Sequence, residues 1–249
     1  MEPILKIRNL KKSYHDLVSE IPAIDNITLD VYPKEWISIV GPSGCGKTSL
    51  LSILSNLEKP SNGEIIFKSN DISIGYMLQK DALFPWKTIY ENCLIGLEIN
   101  HTLTEDNKKK VLDLLNTYGL SEFINKYPSS LSGGMRQRVA LIRTLATNPD
   151  ILLLDEPFSA LDYQTRLMLS DDIYNIIKKE GKTVILVTHD LAEAISLSDR
   201  IVVLSKRPAV IKDIYDIKLT NKSTPTNNRK CNEFYDYYDK IWRDLDVHL

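Results

Sequence analysis

The chain has 249 residues, of which 43% are hydrophobic and 26% are charged, as expected for a globular protein. This length allows one large domain or two small ones. The net charge of −2 provides no basic field for nucleic acid, so we expect no nucleic-acid partner. Three scattered cysteines favour a reducing compartment over a disulfide framework.

The first residues lack the apolar run of a signal peptide, and no stretch approaches the roughly 20 apolar residues of a membrane helix. We therefore expect a cytoplasmic protein that reaches a membrane only through a partner.

In chain order, residues 4–10 and 23–33 alternate between apolar and polar positions, which predicts half-buried antiparallel strands. Residues 36–40 (WISIV) predict a buried strand, and residues 49–57 (SLLSILSNL) predict an apolar helix. Two later apolar runs, at 151–154 and 183–187, predict buried parallel strands. Strands separated by helices indicate an α/β core with a mostly parallel sheet.

Between about residues 86 and 128 the apolar positions follow helical spacing, which indicates a helical insert. The polar segment 220–232 predicts an exposed loop. Residues 233–245 predict a helix with Phe234, Tyr238, Ile241 and Leu245 along one face. We expect a single domain over residues 1–249, with boundaries given approximately. Its core comprises residues 1–85 and 139–218, its helical subdomain 86–138, and its C-terminal loop and helix 219–249.

A glycine-rich loop, GPSGCGKT, joins the predicted strand at 36–40 to the helix that follows. The pattern G-x-x-x-x-G-K-[ST] is typical of loops whose backbone amides hold phosphate groups at a helix N-terminus. We expect Lys47 to reach the outer phosphates and the Thr48 hydroxyl to bind Mg²⁺. The residues expected to contact the nucleotide are Gly41, Pro42, Ser43, Gly44, Cys45, Gly46, Lys47, Thr48 and Ser49.

Cys45 allows two interpretations, because the motif does not require a cysteine there. The helix N-terminus and the Lys47 ammonium would favour a reactive thiolate. Alternatively, Cys45 is a small residue packed under the loop and inert.

Two further strand ends carry polar residues. Asp155, in ILLLDEP, is placed at the sheet edge where ligands bind, and we expect it to hold the metal. The adjacent Glu156 could orient and deprotonate an attacking water. His189, in TVILVTHD, reaches the same edge near the outer phosphate. A lone histidine is more often structural, and Gln79, in GYMLQKD, carries little information by itself.

A second serine-glycine turn, LSGGMRQR, precedes another predicted helix. Its serine and two glycines at a helix start have the composition of a phosphate-binding turn.

Together, GPSGCGKT, Gln79, LSGGMRQ, ILLLDEP, SALD and His189 occur in an order that resembles the ATP-binding cassette (ABC) ATPases, across roughly residues 4–215. The resemblance implies a P-loop ATPase core with a mostly parallel sheet, an antiparallel β subdomain and an inserted helical subdomain. It also implies ATP and Mg²⁺ as cofactors, with catalytic roles for Lys47, Gln79, Glu156 and His189. The metal ligands that it implies are Thr48, Gln79 and Asp155.

The resemblance further implies a head-to-tail homodimer. The turn of one chain, with Ser132, Gly133, Gly134 and Gln137, would close over the nucleotide on the other chain. Asp162 would lie at the seam between the chains. Tyr14 matches the aromatic residue that stacks on adenine, although a lone tyrosine is more often a packing residue.

Residues 80–92 (KDALFPWKTIYEN) resemble the nitrate, sulfonate and taurine group of bacterial importers. This implies a permease partner that contacts the region of Phe84 and Trp86, an indirect link to an extracytoplasmic solute-binding protein, and a place on the inner face of the membrane. Small anions are the expected cargo, and a pyrimidine (thiamine-precursor) molecule or another small solute is the alternative. A soluble ABC protein of DNA repair or translation, and a cassette that only binds, are the remaining alternatives.

Overall fold

The computed structural model describes residues 2–15, 19–159 and 161–245. Its strands are β1 (Leu5–His15), β2 (Glu20–Val31), β3 (Trp36–Val40), β4 (Asn62–Phe67), β5 (Ile74–Met77), β6 (Ile151–Asp155), β7 (Thr183–Val187), β8 (Arg200–Leu204) and β9 (Ile211–Asp216). Its α-helices are α1 (Lys47–Leu54), α2 (Ile89–Ile99), α3 (Glu105–Thr117), α4 (Gly133–Ala146), α5 (Tyr163–Glu180), α6 (Leu191–Leu197), α7 (Pro225–Asn228) and α8 (Asn232–Asp244).

The described strands form two sheets. One is antiparallel, in the order β2-β1-β4. The other has the order β5-β6-β7-β3-β8-β9, and all of its neighbouring pairs are parallel except β8 and β9. The prediction of an α/β fold with a mostly parallel sheet and an antiparallel β unit is confirmed.

The central strands β3, β6 and β7 are buried along their whole length. Successive side chains of a strand point to opposite faces, and the packing follows that alternation. Leu152 and Leu154 pack in the cluster with α4 and α5, whereas Ile151 and Leu153 pack in the cluster with α1 and the antiparallel sheet. This two-sided burial explains why these strands are uniform apolar runs in the sequence.

The first helix begins and ends earlier than the prediction of residues 49–57. Gly46 caps α1, so the helix starts at Lys47, directly after the glycine-rich loop. It ends at Leu54, and Asn56 then takes a left-handed conformation with φ of 60°, which a helix does not allow. No helix of the described residues is apolar over a length that could span a bilayer.

The prediction that residues 220–232 form an exposed loop is confirmed only in part: most of these residues lie in turns or irregular structure, but Pro225 and Asn228 are buried. This segment contains α7, and the Asn228 side chain is buried. The Asn228 amide donates to the Ser196 carbonyl at 2.7 Å, and its oxygen accepts from the Ser223 N–H at 2.7 Å. These bonds satisfy the polar atoms of Asn228, which is why a polar segment can be packed.

The predicted C-terminal helix is confirmed as α8. Phe234 and Ile241 are buried on its inner face, and Tyr238 and Leu245 pack partly buried beside them. This face covers an apolar cluster of α6 and β8 residues that includes Ile195 and Ile201.

The cysteines differ in burial. Cys45 is 1% exposed, Cys93 is fully buried, and Cys231 is partly exposed at the start of α8. Burial raises the pKa of the Cys45 thiol, and the charge of Lys47 only partly opposes this effect. The structure therefore contradicts the thiolate interpretation of Cys45 and supports the interpretation of a small packed residue. Burial likewise raises the pKa of Cys93, to about 12.

We predict that a maleimide labels Cys231 of the native protein well before Cys45 or Cys93, because a buried, protonated thiol reacts slowly. Mass spectrometry of labelled peptides measures the order, and urea should expose all three thiols. The variant Cys231→Ser is the control and should remove most of the fast labelling. Labelling of native Cys45 at the rate of Cys231 would contradict the prediction.

Glu193 of α6 is a buried acidic residue that is only 3% exposed. Burial raises its pKa to about 7, with the nearby Asp190 charge adding to the effect. The Thr188 hydroxyl donates to Glu193 at 2.7 Å, and this bond, Arg166 and Arg229 oppose the shift. The folded protein therefore binds the Glu193 proton more tightly than the unfolded chain does.

The sign of the pH dependence follows from this raised pKa. Stability from the protonated Glu193 is fully present below the ordinary pKa of 4.5 and is lost as pH rises through about 7. Glu193→Gln is neutral throughout. The free energy of unfolding of this variant, relative to that of the wild type, should therefore rise by up to about 3 kcal/mol between about pH 5 and pH 8, since one pKa unit is about 1.4 kcal/mol.

Urea unfolding of both proteins across that pH range measures this difference. Glu122→Gln, the same substitution at an exposed position, is the control for removing one carboxylate. A constant difference between Glu193→Gln and the wild type at all pH values would show that Glu193 does not titrate in this range.

Candidate nucleotide site

The loop between β3 and α1 depends on glycine at two positions. Gly44 and Gly46 have φ of 71° and 120°, in the region that residues with a Cβ atom rarely adopt. A Cβ atom on Gly46 would lie 3.0 Å from the Ala23 carbonyl oxygen. The loop is therefore held close to β2 in a conformation that only glycine adopts without strain.

The same loop presents donors to an anion. Gly46 caps α1 without a side chain, so the first amides of the helix have no side-chain or intrahelical acceptor. Lys47 is buried, and its Nζ donates to the carbonyl oxygens of Gly41 at 2.8 Å and Pro42 at 3.0 Å. The ammonium thus lies over the loop, beside the amides that can hold phosphate oxygens.

Asp155 is the last residue of β6 and is buried. The Tyr76 hydroxyl donates to its carboxylate at 3.3 Å, and Thr48 is near enough to affect the pKa of that carboxylate. Burial raises the pKa of Asp155, while Thr48 and Tyr76 oppose that effect. A carboxylate beside a hydroxyl fits the oxygen ligands that Mg²⁺ prefers.

No three His, Cys, Asp or Glu side chains within the described ranges cluster closely enough to hold a metal. A cation beside Asp155 would therefore complete its shell with hydroxyl, amide, water or phosphate oxygens, as Mg²⁺ commonly does.

Glu156 connects three segments of the chain. Its Oε2 accepts from Gln79 Nε2 at 3.1 Å and lies 3.1 Å from Nδ1 of His189. The Glu156 backbone has φ of 45°, and its N–H donates to the Val187 carbonyl at 2.8 Å. The carboxylate is thus fixed between the segment after β5 and the segment after β7.

These residues surround one open cleft of about 590 Å³. Residues predicted from four separate motifs therefore meet at this cleft. The cleft is lined by Ser43, Gly44, Gly46, Lys47, Thr48, Ser49, Gln79, Glu156 and His189.

The second glycine turn lies elsewhere in the chain. Ser132 caps α4 and accepts from the Met135 N–H at 3.3 Å. Gly133 lines a separate depression of about 440 Å³ with Gln137, whose buried Oε1 has no hydrogen-bond partner among the described residues. Gln79 lines both this depression and the cleft.

Two further predicted residues, Asp162 and Tyr14, line neither the cleft nor the depression but are held by hydrogen bonds. Asp162 caps α5 by accepting from the Thr165 N–H at 3.0 Å. The Tyr14 hydroxyl lies 2.8 Å from Ser49 Oγ and 2.9 Å from a Glu58 carboxylate oxygen. Tyr14 is thereby held beside the start of α1.

Three residues outside the predicted set also contact the predicted site residues. Tyr76 donates to Asp155, and Ser159 donates to the Glu156 carbonyl at 3.0 Å. Lys12 places its Nζ 4.9 Å from the centre of the Tyr14 ring. Tyr76 stands in the GYMLQ run of the sequence, but its contact with Asp155 depends on the pairing of β5 with β6, which no local pattern predicts.

Comparison with known proteins gives the family. The model of the ABC transporter family matches residues 24–159, more than half of the chain. An uncharacterized ABC transporter ATP-binding protein of Bacillus subtilis, YtlC, is 45% identical over 97% of this chain and 95% of its own length.

Two relatives have named import functions. The spermidine/putrescine import ATP-binding protein PotA of Mannheimia succiniciproducens is 40% identical over 82% of this chain and 56% of its own length. The taurine import ATP-binding protein TauB of Roseobacter denitrificans is 38% identical over 84% of this chain and 80% of its own length.

Among solved structures, the dimeric post-hydrolysis state of the ATP-binding cassette MJ0796 bound to ADP and Pi has a TM-score of 0.73. It is 31% identical, and the match covers 86% of this chain and 99% of that chain. The glycine-rich loop, the strand-end carboxylates and these relatives agree, and the chain belongs to the ABC transporter family as an ATPase cassette.

Proposed function

We propose that ATP is hydrolysed in the cleft between α1, Gln79, Glu156 and His189. The observation that carries this proposal is the position of the Glu156 carboxylate, held by Gln79 and His189 in the cleft that Lys47 also lines. A carboxylate fixed in this way can orient a water molecule and accept its proton. His189, which lines the same cleft, donates to the outer phosphate.

The binding roles follow from the same geometry. The amides at the start of α1 and the Lys47 ammonium hold phosphate oxygens. Thr48 and Asp155, with Gln79, hold Mg²⁺, which neutralises phosphate charge when bound. Tyr14, beside Ser49, contributes the ring that stacks on adenine.

The complete site requires a second copy of the chain. Within one chain, Gly133 lines a depression distinct from the cleft that Lys47 lines, and Ser132 directly precedes Gly133 as the cap of α4. A helix N-terminus with Ser132, Gly133 and Gly134 can cap phosphate from another chain. The structural relative is dimeric, in agreement with a head-to-tail pair in which Asp162 lies at the seam.

We propose that a permease contacts the region of Phe84 and Trp86. Trp86 is 69% exposed, and its ring centre lies 5.2 Å from that of Phe84. The buried Asn92 holds this segment, because its amide donates to the Phe84 carbonyl at 3.1 Å and its oxygen accepts from the Phe84 N–H at 2.8 Å. Fixed, exposed aromatic residues are typical anchors at interfaces.

The proposed cargo is a small anion of the nitrate, sulfonate or taurine type, carried to the permease by an extracytoplasmic binding protein. The LFPWKT segment and the similarity to TauB support this class. A thiamine precursor or another small solute is the alternative, since PotA, which is named for polyamines, has about the same sequence identity to this chain as TauB has. The chain would then lie on the inner face of the membrane.

We predict that Glu156→Gln retains ATP binding but lowers turnover by at least about a hundredfold, because the amide cannot accept the proton of water. ATP should then hold the variant as a dimer in size-exclusion chromatography. Glu180→Gln, at an exposed position, is the control and should hydrolyse ATP normally. Normal turnover by Glu156→Gln would rule out the role of Glu156 as the base.

We predict that Ser132→Arg and Lys47→Ala each abolish ATP-driven dimerisation, for opposite reasons. Ser132→Arg keeps its own nucleotide loop, whereas Lys47→Ala keeps its glycine turn. A mixed dimer has one intact composite site, so a mixture of the two variants should regain part of the dimer. Light scattering at several mixing ratios measures this recovery, and a mixture no better than either variant alone would contradict the composite site.

A further inference from the structure

Arg166, near the start of α5, contacts three residues in two segments with one guanidinium. Nη2 donates to the Leu161 carbonyl at 3.1 Å, and Nη1 donates to the Asp190 carboxylate at 3.1 Å. Nε lies 3.7 Å from the Glu193 carboxylate. The side chain is 23% exposed, so solvent screens these charges only in part.

The Asp190 and Glu193 contacts fix the backbone on both sides of His189. Asp190 accepts from the N–H groups of Ala192 at 2.8 Å and Glu193 at 3.1 Å, which caps α6. Thr188 donates to Glu193 and accepts from the Asp190 N–H at 3.0 Å. The residues before and after His189 therefore belong to one hydrogen-bonded network.

The Leu161 contact reaches the other half of the site. Leu161 precedes Asp162 and lines the depression that contains Gly133 and Gln137. Arg166 thus joins the segment proposed to meet a second chain to the segment that carries His189.

We propose that Arg166 is a positioning residue that couples the Leu161–Asp162 segment to His189, and this inference rests on the function proposed above. A lysine cannot replace it, because a single ammonium does not offer the planar fork that reaches a carbonyl and a carboxylate together.

The charged groups that face the start of α6 come from several elements. Two carboxylates, those of Asp190 and Glu193, raise each other's energy when both are ionised. Arg166 from α5 and Arg229, directly after α7, are the cations that act on Glu193, and Thr188 from β7 donates to it. Arg166→Lys keeps the positive charge but not the fork, so the link between the Asp190 carboxylate and the Leu161 carbonyl is lost, and the first turn of α6 is no longer held to the start of α5.

The test is Arg166→Lys in the full chain, with ATP turnover measured against ATP concentration. We expect kcat to fall by about tenfold or more, since small displacements of catalytic groups have large effects on rate. The KM for ATP should stay within about twofold, because the nucleotide loop is untouched. The Hill coefficient should also fall, since coupling between the two halves is weakened.

Arg200→Lys is the matched control. Arg200 is 19% exposed and also donates to a carbonyl, that of Asp30, and a carboxylate, that of Glu35, each at 3.0 Å. It begins β8, at the end of the sheet away from the cleft. Arg200→Lys should lose similar stability in urea but retain kcat.

Asp190→Asn provides a second readout. Asparagine keeps the cap of α6 but loses the charge that pairs with Arg166. If both residues act through one contact, the kcat of the double variant Arg166→Lys/Asp190→Asn should be no lower than that of the less active single variant. Multiplied losses, or a kcat for Arg166→Lys equal to that of Arg200→Lys, would overturn the inference. Absence of turnover in the unmodified chain would instead overturn the proposed function.

Discussion

The parallel pairing of β6, β7 and β3 is the constraint on which the candidate site depends. Asp155 of β6 lies opposite Val187 of β7, and Ile39 of β3 lies opposite the same Val187. The residues after all three strands therefore leave the sheet at one edge. A slip of one residue would exchange side chains between two buried faces and remove Asp155 from that edge. Complete burial of these strands opposes such a slip.

The strain at Glu156 is a consequence of this arrangement. A side-chain-bearing residue rarely adopts φ of 45°, and such conformations persist only where the surrounding structure enforces them. Here β7 binds the Glu156 N–H through Val187, while Gln79 and His189 hold its carboxylate. The carboxylate is therefore oriented before any ligand binds, so little reorganisation remains for the reaction.

The sequence predicted the features that depend on local patterns. Strand β7 was predicted with its correct ends, because a strand buried on both faces is an uninterrupted apolar run. The glycine-rich loop was recognised from its spacing alone. The protonation state of Cys45 does not follow from its sequence neighbours. Lys47 and the helix start favour a thiolate, but tertiary packing buries the thiol and raises its pKa. The roles assigned to individual site residues and the subdomain boundaries stay predictions.

The burial within residues 220–232 has a physical reason that connects to the site. Composition marked this segment as exposed, but Arg229 acts electrostatically on Glu193, and Asn228 bonds to Ser196, 32 residues away in the chain. Buried carboxylates require nearby cations or protons, and α6 itself supplies no cation. The positive charges come from α5 and from the segment after α7. Packing of this polar segment against α6 therefore stabilises the acidic network next to His189, a requirement between distant residues that no local pattern records.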